Sequence, residues 1–485
     1  MSFLLGSANS ARGGYEVSNS LRFDNPTDDN LAITFGSAGN RKTFTISAWV
    51  KRSAMTTDGS FTIFGAGGTG SNPRSILFFS SDAFRFGDNA AGNANKEIMT
   101  NALFRDPSAW YHIVVGVDTT QATDTNRFKM YVNGVLLTSF ATATYPAEDA
   151  DLNWNNSVLH TVGRYPANDA YHMDGYMSEF YFIDGTQYAA SDFGETNDDG
   201  IWIPKNAKGD LTFGDNGFYL EFKGTGTSTN SSGMGADTSG EDNHLAVNNL
   251  TAVDVTTDTC TNNFCTINSI FADDGLNTIA ADYSQGNTKL TTTVDAWKHG
   301  RGTFLLSSGK WYAEAKVTEV GNGQVGQFGI VPSVLSGTTD ANDKIEGLRV
   351  NMGGTDTIFQ KMDTGSGSNV FTDFASGDIV MLAIDLDNNK LWVGNDGTWY
   401  NDNNASTTFD ASNEDVTLPA NDVGWIFTIG GYRDGGNNLA WEFNWGNPAF
   451  AISSSNADAD GHGNFEFAVP SGFFAVNSKN LAEYG

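Results

Sequence analysis

WYHIVVGVDTTQATDTNRFKMYVNGV, from Trp110 to Val135, and GDIVMLAIDLDNNKLWVGNDG, from Gly377 to Gly397, share one grammar. Each is an apolar run closed by an aspartate (Asp118, Asp385), a polar turn, and a second run with bulky residues at alternate places. A period of two places alternate side chains on opposite faces of a strand, so each stretch predicts an antiparallel hairpin with one buried and one wet face. In FKMYV the buried face is Phe128, Met130 and Val132, and the wet face includes Lys129 and Tyr131. Each aspartate stands where an Asx side chain caps turn N–H groups, so turn formation is preferred to a duplicated active site.

The same period extends outward. TFTISAWVKR, SFTIFGAG, SILFFSS, AFRFGD and GYMSEFYFIDG precede and follow the first hairpin, and GKWYAEAKV, GQFGIV, GWIFTIGGY and LAWEFNWG surround the second. Short alternating segments separated by Gly, Asn, Asp and Ser predict an all-β fold, and 485 residues exceed what one core serves. The expected organisation is two tandem antiparallel β-sandwiches: an arm over 1–20, a jelly roll over 21–222, a Gly/Ser/Thr/Asn-rich linker over 223–259, and a second sandwich with a C-terminal tail over 260–485. The arm's apolar plug, Phe3, Leu4 and Leu5, is a candidate attachment segment.

With 27 Lys plus Arg against 57 Asp plus Glu, the net charge of −30 opposes binding to phosphate-rich nucleic acid and to anionic membrane surfaces. No apolar run is long enough to insert in a membrane, and the start lacks the basic n-region of a signal peptide. Two cysteines, Cys260 and Cys265, give no disulfide scaffold, and six dispersed histidines give no zinc ligand set. Catalysis by a sandwich glucanase needs paired carboxylates on one strand face; Glu179 and Asp184 are spaced oddly, so no enzyme is expected.

Two loop clusters are candidates for sugar binding, which needs a flat aromatic ring flanked by hydrogen-bonding side chains. GRYPANDAYHMDGY supplies Tyr165 and Tyr171 with Arg164 and Asp169, and GNDGTWYNDNN supplies Trp399 and Tyr400 with Asn395 and Asp396. The second is favoured, because its aromatic pair stands in a turn among polar residues. Oxygen-rich loops also make calcium a candidate cofactor: Asp458, Asp460 and Asn464 in DADGHGNFE, and Asp174 in NDAYHMD.

Three resemblances follow from these residues. TFTISAWVKR, WYHIVVGVD, KMYVNGV and MDGYMSEFYFIDG resemble the laminin-G-like, concanavalin-type jelly roll. SSGKWYAEAKV, the Gly377–Gly397 hairpin and FNWGNPAF resemble the SPRY sandwich. The combination, with SFLLGSANSARGGYEV at one end and VPSGFFAVNSKNL at the other, resembles surface proteins of marine tailed bacteriophages, although Cys260 replaces a usual proline and no repetitive shaft is present. That resemblance implies a virion surface protein made in the host cytoplasm: a homo-oligomeric tail fibre or similar adhesin that contacts other virion proteins and a host glycan or receptor. The alternatives are a purely structural decoration or collar protein and a polysaccharide depolymerase.

Overall fold

In the computed structural model both quoted stretches are antiparallel hairpins. Trp110–Asp118 pairs with Phe128–Val132, setting Val115 opposite Met130. Ile379–Asp385 pairs with Lys390–Asn395, setting Leu382 opposite Val393. Asp118 accepts from the Thr120 N–H and Asp385 from the Asn388 N–H, each at 3.0 Å, so both carboxylates build turns. The structure describes residues 14–53, 55, 60–67, 75–88, 96–166, 171–270, 282–293, 295, 297–319, 324–334, 345–353, 356–363, 366–371, 375–402, 404–433 and 438–485.

The chain divides after Thr261 into two units. In the first, one sheet runs in the order Val135–Leu136, Phe128–Val132, Trp110–Asp118, Thr43–Arg52, Gly175–Asp184, Ser20–Phe23 and Val255–Thr256, with Phe218–Leu220 also pairing to Gly175–Asp184. The other runs Phe140–Thr144, Lys96–Leu103, Ala83–Asp88, Ser75–Ser80, Ser60–Ala66, Leu159–Val162, Asn30–Thr34 and Ala246–Asn248. The inward residues of the two sheets meet in one aromatic core that includes Phe44, Phe64, Phe86, Phe128, Trp154 and Phe182. Phe86 stacks on Trp154 at 5.5 Å between ring centroids. Burial of such rings is the main favourable term of the fold.

The expected linker over 223–259 is corrected by this topology. Ala246–Asn248 pairs with Asn30–Thr34, and Val255–Thr256 pairs with Ser20–Phe23, so the segment adds an edge to each sheet. Its composition is too polar to form a core alone, and it is ordered by side-chain anchors. Arg22 reaches the Val253 carbonyl at 3.0 Å, and Lys51 meets Asp258 at 2.8 Å with both side chains buried.

In the second unit, one sheet is ordered Asp282–Ser284, Lys289–Thr292, Leu439–Asn444, Lys310–Glu319, Ile379–Asp385, Lys390–Asn395 and Thr398–Trp399, with Val416–Thr417 beside Lys390–Asn395. The other is ordered Trp297–Arg301, Trp425–Tyr432, Gln324–Pro332, Glu346–Gly353, Asp356–Asp363 and Ser366–Phe371. Trp311, Phe328, Phe427, Trp441, Phe443 and Trp445 fill its core. The chain closes on a short α-helix, Ser478–Tyr484, whose N-cap Asn477 accepts from the Asn480 N–H. Cys260 and Cys265 are free thiols. The attachment candidates Phe3, Leu4 and Leu5 lie outside the described residues.

Candidate functional site

The favoured aromatic pair is core. Trp399 is only 4% exposed and packs edge-on against Phe409 at 5.0 Å, within a cluster that contains Trp392, Phe465 and Phe473. Tyr400 is buried in the inner core of the sandwich. The cause is long-range pairing: Trp399 and Ser406 exchange both backbone hydrogen bonds (2.7 and 2.9 Å), which folds the following loop back over the rings. The polar neighbours that suggested exposure are structural, since Asp402 N–H donates to Asp415 at 2.8 Å and Asn401 Nδ2 donates to the Thr408 carbonyl at 3.0 Å. Asp396 caps the Ile379 N–H at 2.9 Å, and Asn395 donates to Asp378 at 3.4 Å.

The DADGHGNFE calcium reading is corrected as well. Asp458 Oδ1 accepts from the N–H groups of Asp460 (3.0 Å) and His462 (2.8 Å), while Oδ2 accepts from the Ala475 N–H (2.9 Å) and Asn480 Nδ2 (2.7 Å). Four donors aimed at one carboxylate leave no lone pairs for a cation. Asp460 accepts from the Tyr484 hydroxyl at 2.8 Å, and the Asn464 carbonyl accepts from Asn444 at 2.9 Å, so the loop instead locks the terminal helix in place. Among the described residues no group of three or more His, Cys, Asp or Glu side chains is disposed to hold a metal ion.

The first loop cluster has a different geometry. The crossing from the Leu159–Val162 strand to Gly175–Asp184 is described over residues 163–166 and 171–174. Glycines shape its first part and the strand beside it. Gly163 has φ +91°, and a Cβ there would stand 2.6 Å from the Phe23 ring; a Cβ on Gly65 would stand 2.6 Å from Pro166. Three backbone bonds then tie the crossing down: Gly163 N–H to Ile63, Thr62 N–H to Tyr171, and Met173 N–H to Gly163.

On this rim Tyr165 is buried and Tyr171 is 36% exposed, with the two rings 6.2 Å apart. Tyr171 has φ +58°, a left-handed conformation that a bulky residue adopts only where its surroundings demand it. Arg164 is partly exposed. His172 Nε2 lies 3.3 Å from the exposed carboxylate of Asp28. Asp169 lies outside the described residues.

Asp174 is not at the surface. It is buried with Asp24 and Asp29, and its Oδ1 and that of Asp29 have no hydrogen-bond partner. Burial, reinforced by the charges of Asp24 and Asp29, holds the Asp174 carboxyl well above the usual carboxylate range. Burial likewise pushes Asp29 up to about 7. Sequence reasoning missed Asp24, Asp28 and Asp29, because the turn that carries them is far from residues 164–174 in the chain.

The residues weighed as a catalytic pair are each bonded to other groups. Glu179 accepts from two tyrosine hydroxyls, while Asp184 Oδ1 accepts from the Asn40 N–H (2.7 Å) and Asn155 Nδ2 (2.6 Å). Both carboxylates hold structure together.

Residues 25–191 match the concanavalin A-like lectin/glucanases superfamily. Over those residues the first unit has a laminin-G-like, concanavalin-type sandwich fold, and the matched region includes Arg164 and Tyr171–Asp174. No curated protein matches the chain. Among solved structures, the chain is similar to domains LG4-5 of the mouse laminin alpha1 chain, at 11% identity, 87% coverage of this chain, 84% of that chain and a TM-score of 0.29. It is similar to the SPRY domain of human HERC1 at 11% identity, 32% and 87% coverage, and a TM-score of 0.23. A third likeness is to the IT-sialidase CBM40 of Ruminococcus gnavus, at 14% identity, 37% and 94% coverage, and a TM-score of 0.26.

Proposed function

We propose that this chain is a non-enzymatic glycan-binding protein whose contact surface is the rim around Tyr171. The carrying observation is an exposed tyrosine held in left-handed backbone conformation, over a buried tyrosine, inside the region that matches a lectin and glucanase superfamily. A ring fixed in this way offers its flat apolar face to a sugar, with the partly exposed Arg164 and the exposed Asp28 as candidate donor and acceptor. Contacts of this size are weak singly and gain strength when several copies engage one surface, which fits a homo-oligomeric assembly.

The finer reading, a tailed-phage fibre or other virion surface component that meets a host glycan, is supported by the sequence resemblance over nearly the whole chain. In that setting the second sandwich serves as a rigid spacer or as the face toward other virion proteins.

The test is a glycan array with the full chain and with Tyr171→Ala, followed by adhesion to candidate host cells. Tyr171→Ala is expected to lower affinity at least tenfold with an unchanged melting temperature, since the ring is at the surface. Trp399→Ala serves as the contrast, losing about 3–5 kcal/mol of stability while the folded fraction keeps its binding. Retained binding in Tyr171→Ala would remove the assignment.

A further inference from the structure

Glu179 stands in a β-bulge. The register between Gly175–Asp184 and Thr43–Arg52 shifts between Ser178 and Tyr181, and Glu179 has φ +51°. The shift sends Glu179 and Tyr181 to the outer face of the sheet. There Oε2 accepts from the hydroxyls of Tyr181 (2.9 Å) and Tyr219 (2.7 Å), whose rings stack at 4.1 Å. The carboxylate is 4% exposed.

Over it lies the segment 14–19. The Tyr15 hydroxyl is 3.4 Å from that of Tyr219, and Val17 is clamped to Thr261, whose Oγ1 accepts from the Val17 N–H and donates to the Val17 carbonyl, both at 3.1 Å. We propose that residues 14–19 form a strap that closes over Glu179, and that closing the strap takes up a proton on that carboxyl.

A closed strap separates Glu179 from water, which disfavours its charged form. Little uncommitted positive charge faces it. Tyr15, Tyr181 and Tyr219 are neutral, and burial holds Cys260 protonated. Asp258 is committed to Lys51, and Lys223 is paired with Glu221 at 2.7 Å. Burial accordingly pushes Glu179 up to about 7, against the lowering effects of the two tyrosine hydrogen bonds and of the Lys223 charge. Lifting the strap admits water and returns the carboxyl toward its ordinary range. By linkage, the closed strap is favoured in acid and loosens as pH rises from about 4.5 through about 7.

Hydrogen exchange on the full chain tests this. After correction for intrinsic rates, amides of residues 15–19 are expected to exchange severalfold faster at pH 8 than at pH 5, and Glu179→Gln is expected to abolish that difference. If Glu179→Gln fails to fold, Tyr15→Ala replaces it: carboxyl-detected NMR should show the Glu179 titration moving toward acid when the ring is removed. Equal protection of residues 15–19 at both pH values, the same pH response in Glu179→Gln, or an unmoved Glu179 titration in Tyr15→Ala would each overturn the proposal.

Discussion

Glu314 shows how much one buried carboxylate does in this fold. It is fully buried, and its two oxygens accept four hydrogen bonds: Tyr312 OH (2.9 Å) and Phe467 N–H (2.8 Å) on Oε1, and Asn444 Nδ2 (3.1 Å) and Glu466 N–H (3.0 Å) on Oε2. Two of those donors are backbone groups of the C-terminal segment, so the side chain fastens that segment to the sheet. Glu314→Ala leaves four buried donors unpaired, each costing about 1–3 kcal/mol before relaxation. A net loss of about 4 kcal/mol is expected in urea denaturation; a loss below about 1 kcal/mol would show that water replaces the carboxylate. The Tyr-x-Glu spacing was visible in GKWYAEAKV, since residues i and i+2 share a face. The other three partners lie more than a hundred residues away and could not be read from it.

At the scale of elements, local period was a faithful guide where strands are long. Thr43–Arg52 and Trp110–Asp118 occupy the segments that alternation marked, and Asp118 and Asp385 turn the hairpins as Asx chemistry predicts. It misled where order comes from distant partners. Residues 223–259 looked unable to fold, and Trp399 and Tyr400 looked exposed, because neither the edge pairing of the first nor the returning loop over the second leaves a local trace. The Lys51–Asp258 pair is the anchor that local reading missed, and Asp258 also accepts from Trp110 Nε1 at 3.3 Å. Breaking a buried ion pair from one side leaves a charge uncompensated, so Lys51→Met is expected to cost about 3–5 kcal/mol. Adding a neutral replacement, Asp258→Asn, should restore part of that loss. Equal stability of the single and double variants in chemical denaturation would refute a direct coupling between the two.

Across the whole molecule the buried titratable groups set the direction of pH dependence. Glu179 and Asp29 are each pushed up to about 7, first of all by burial, so the fold binds protons that the unfolded chain has released. Each contributes stability that is full below the ordinary carboxylate range and is lost as pH rises through about 7. Asp174 is shifted the same way. Two histidines oppose them. His112 accepts from Trp202 Nε1 at 2.9 Å and His160 accepts from the Asn155 N–H at 3.2 Å, so both are held neutral, and burial lowers them to about 3 and about 4. Their contribution is present above about 6.5 and fades as pH falls toward 4. Between pH 5 and 6.5 the acids outnumber the histidines, and between 6.5 and 7 the histidines no longer titrate in either state, so the slope steepens. Stability is therefore expected to fall by about 2–4 kcal/mol from pH 5 to pH 7.5, most steeply near neutrality. The high negative charge acts in the same direction, because self-repulsion grows as the remaining acids ionise, and added salt should flatten the curve. Urea midpoints at half-unit intervals in low and high salt measure both effects. A midpoint that climbs from pH 5 to 7.5 would mean that the buried acids are ionised in the fold and compensated by groups other than those named.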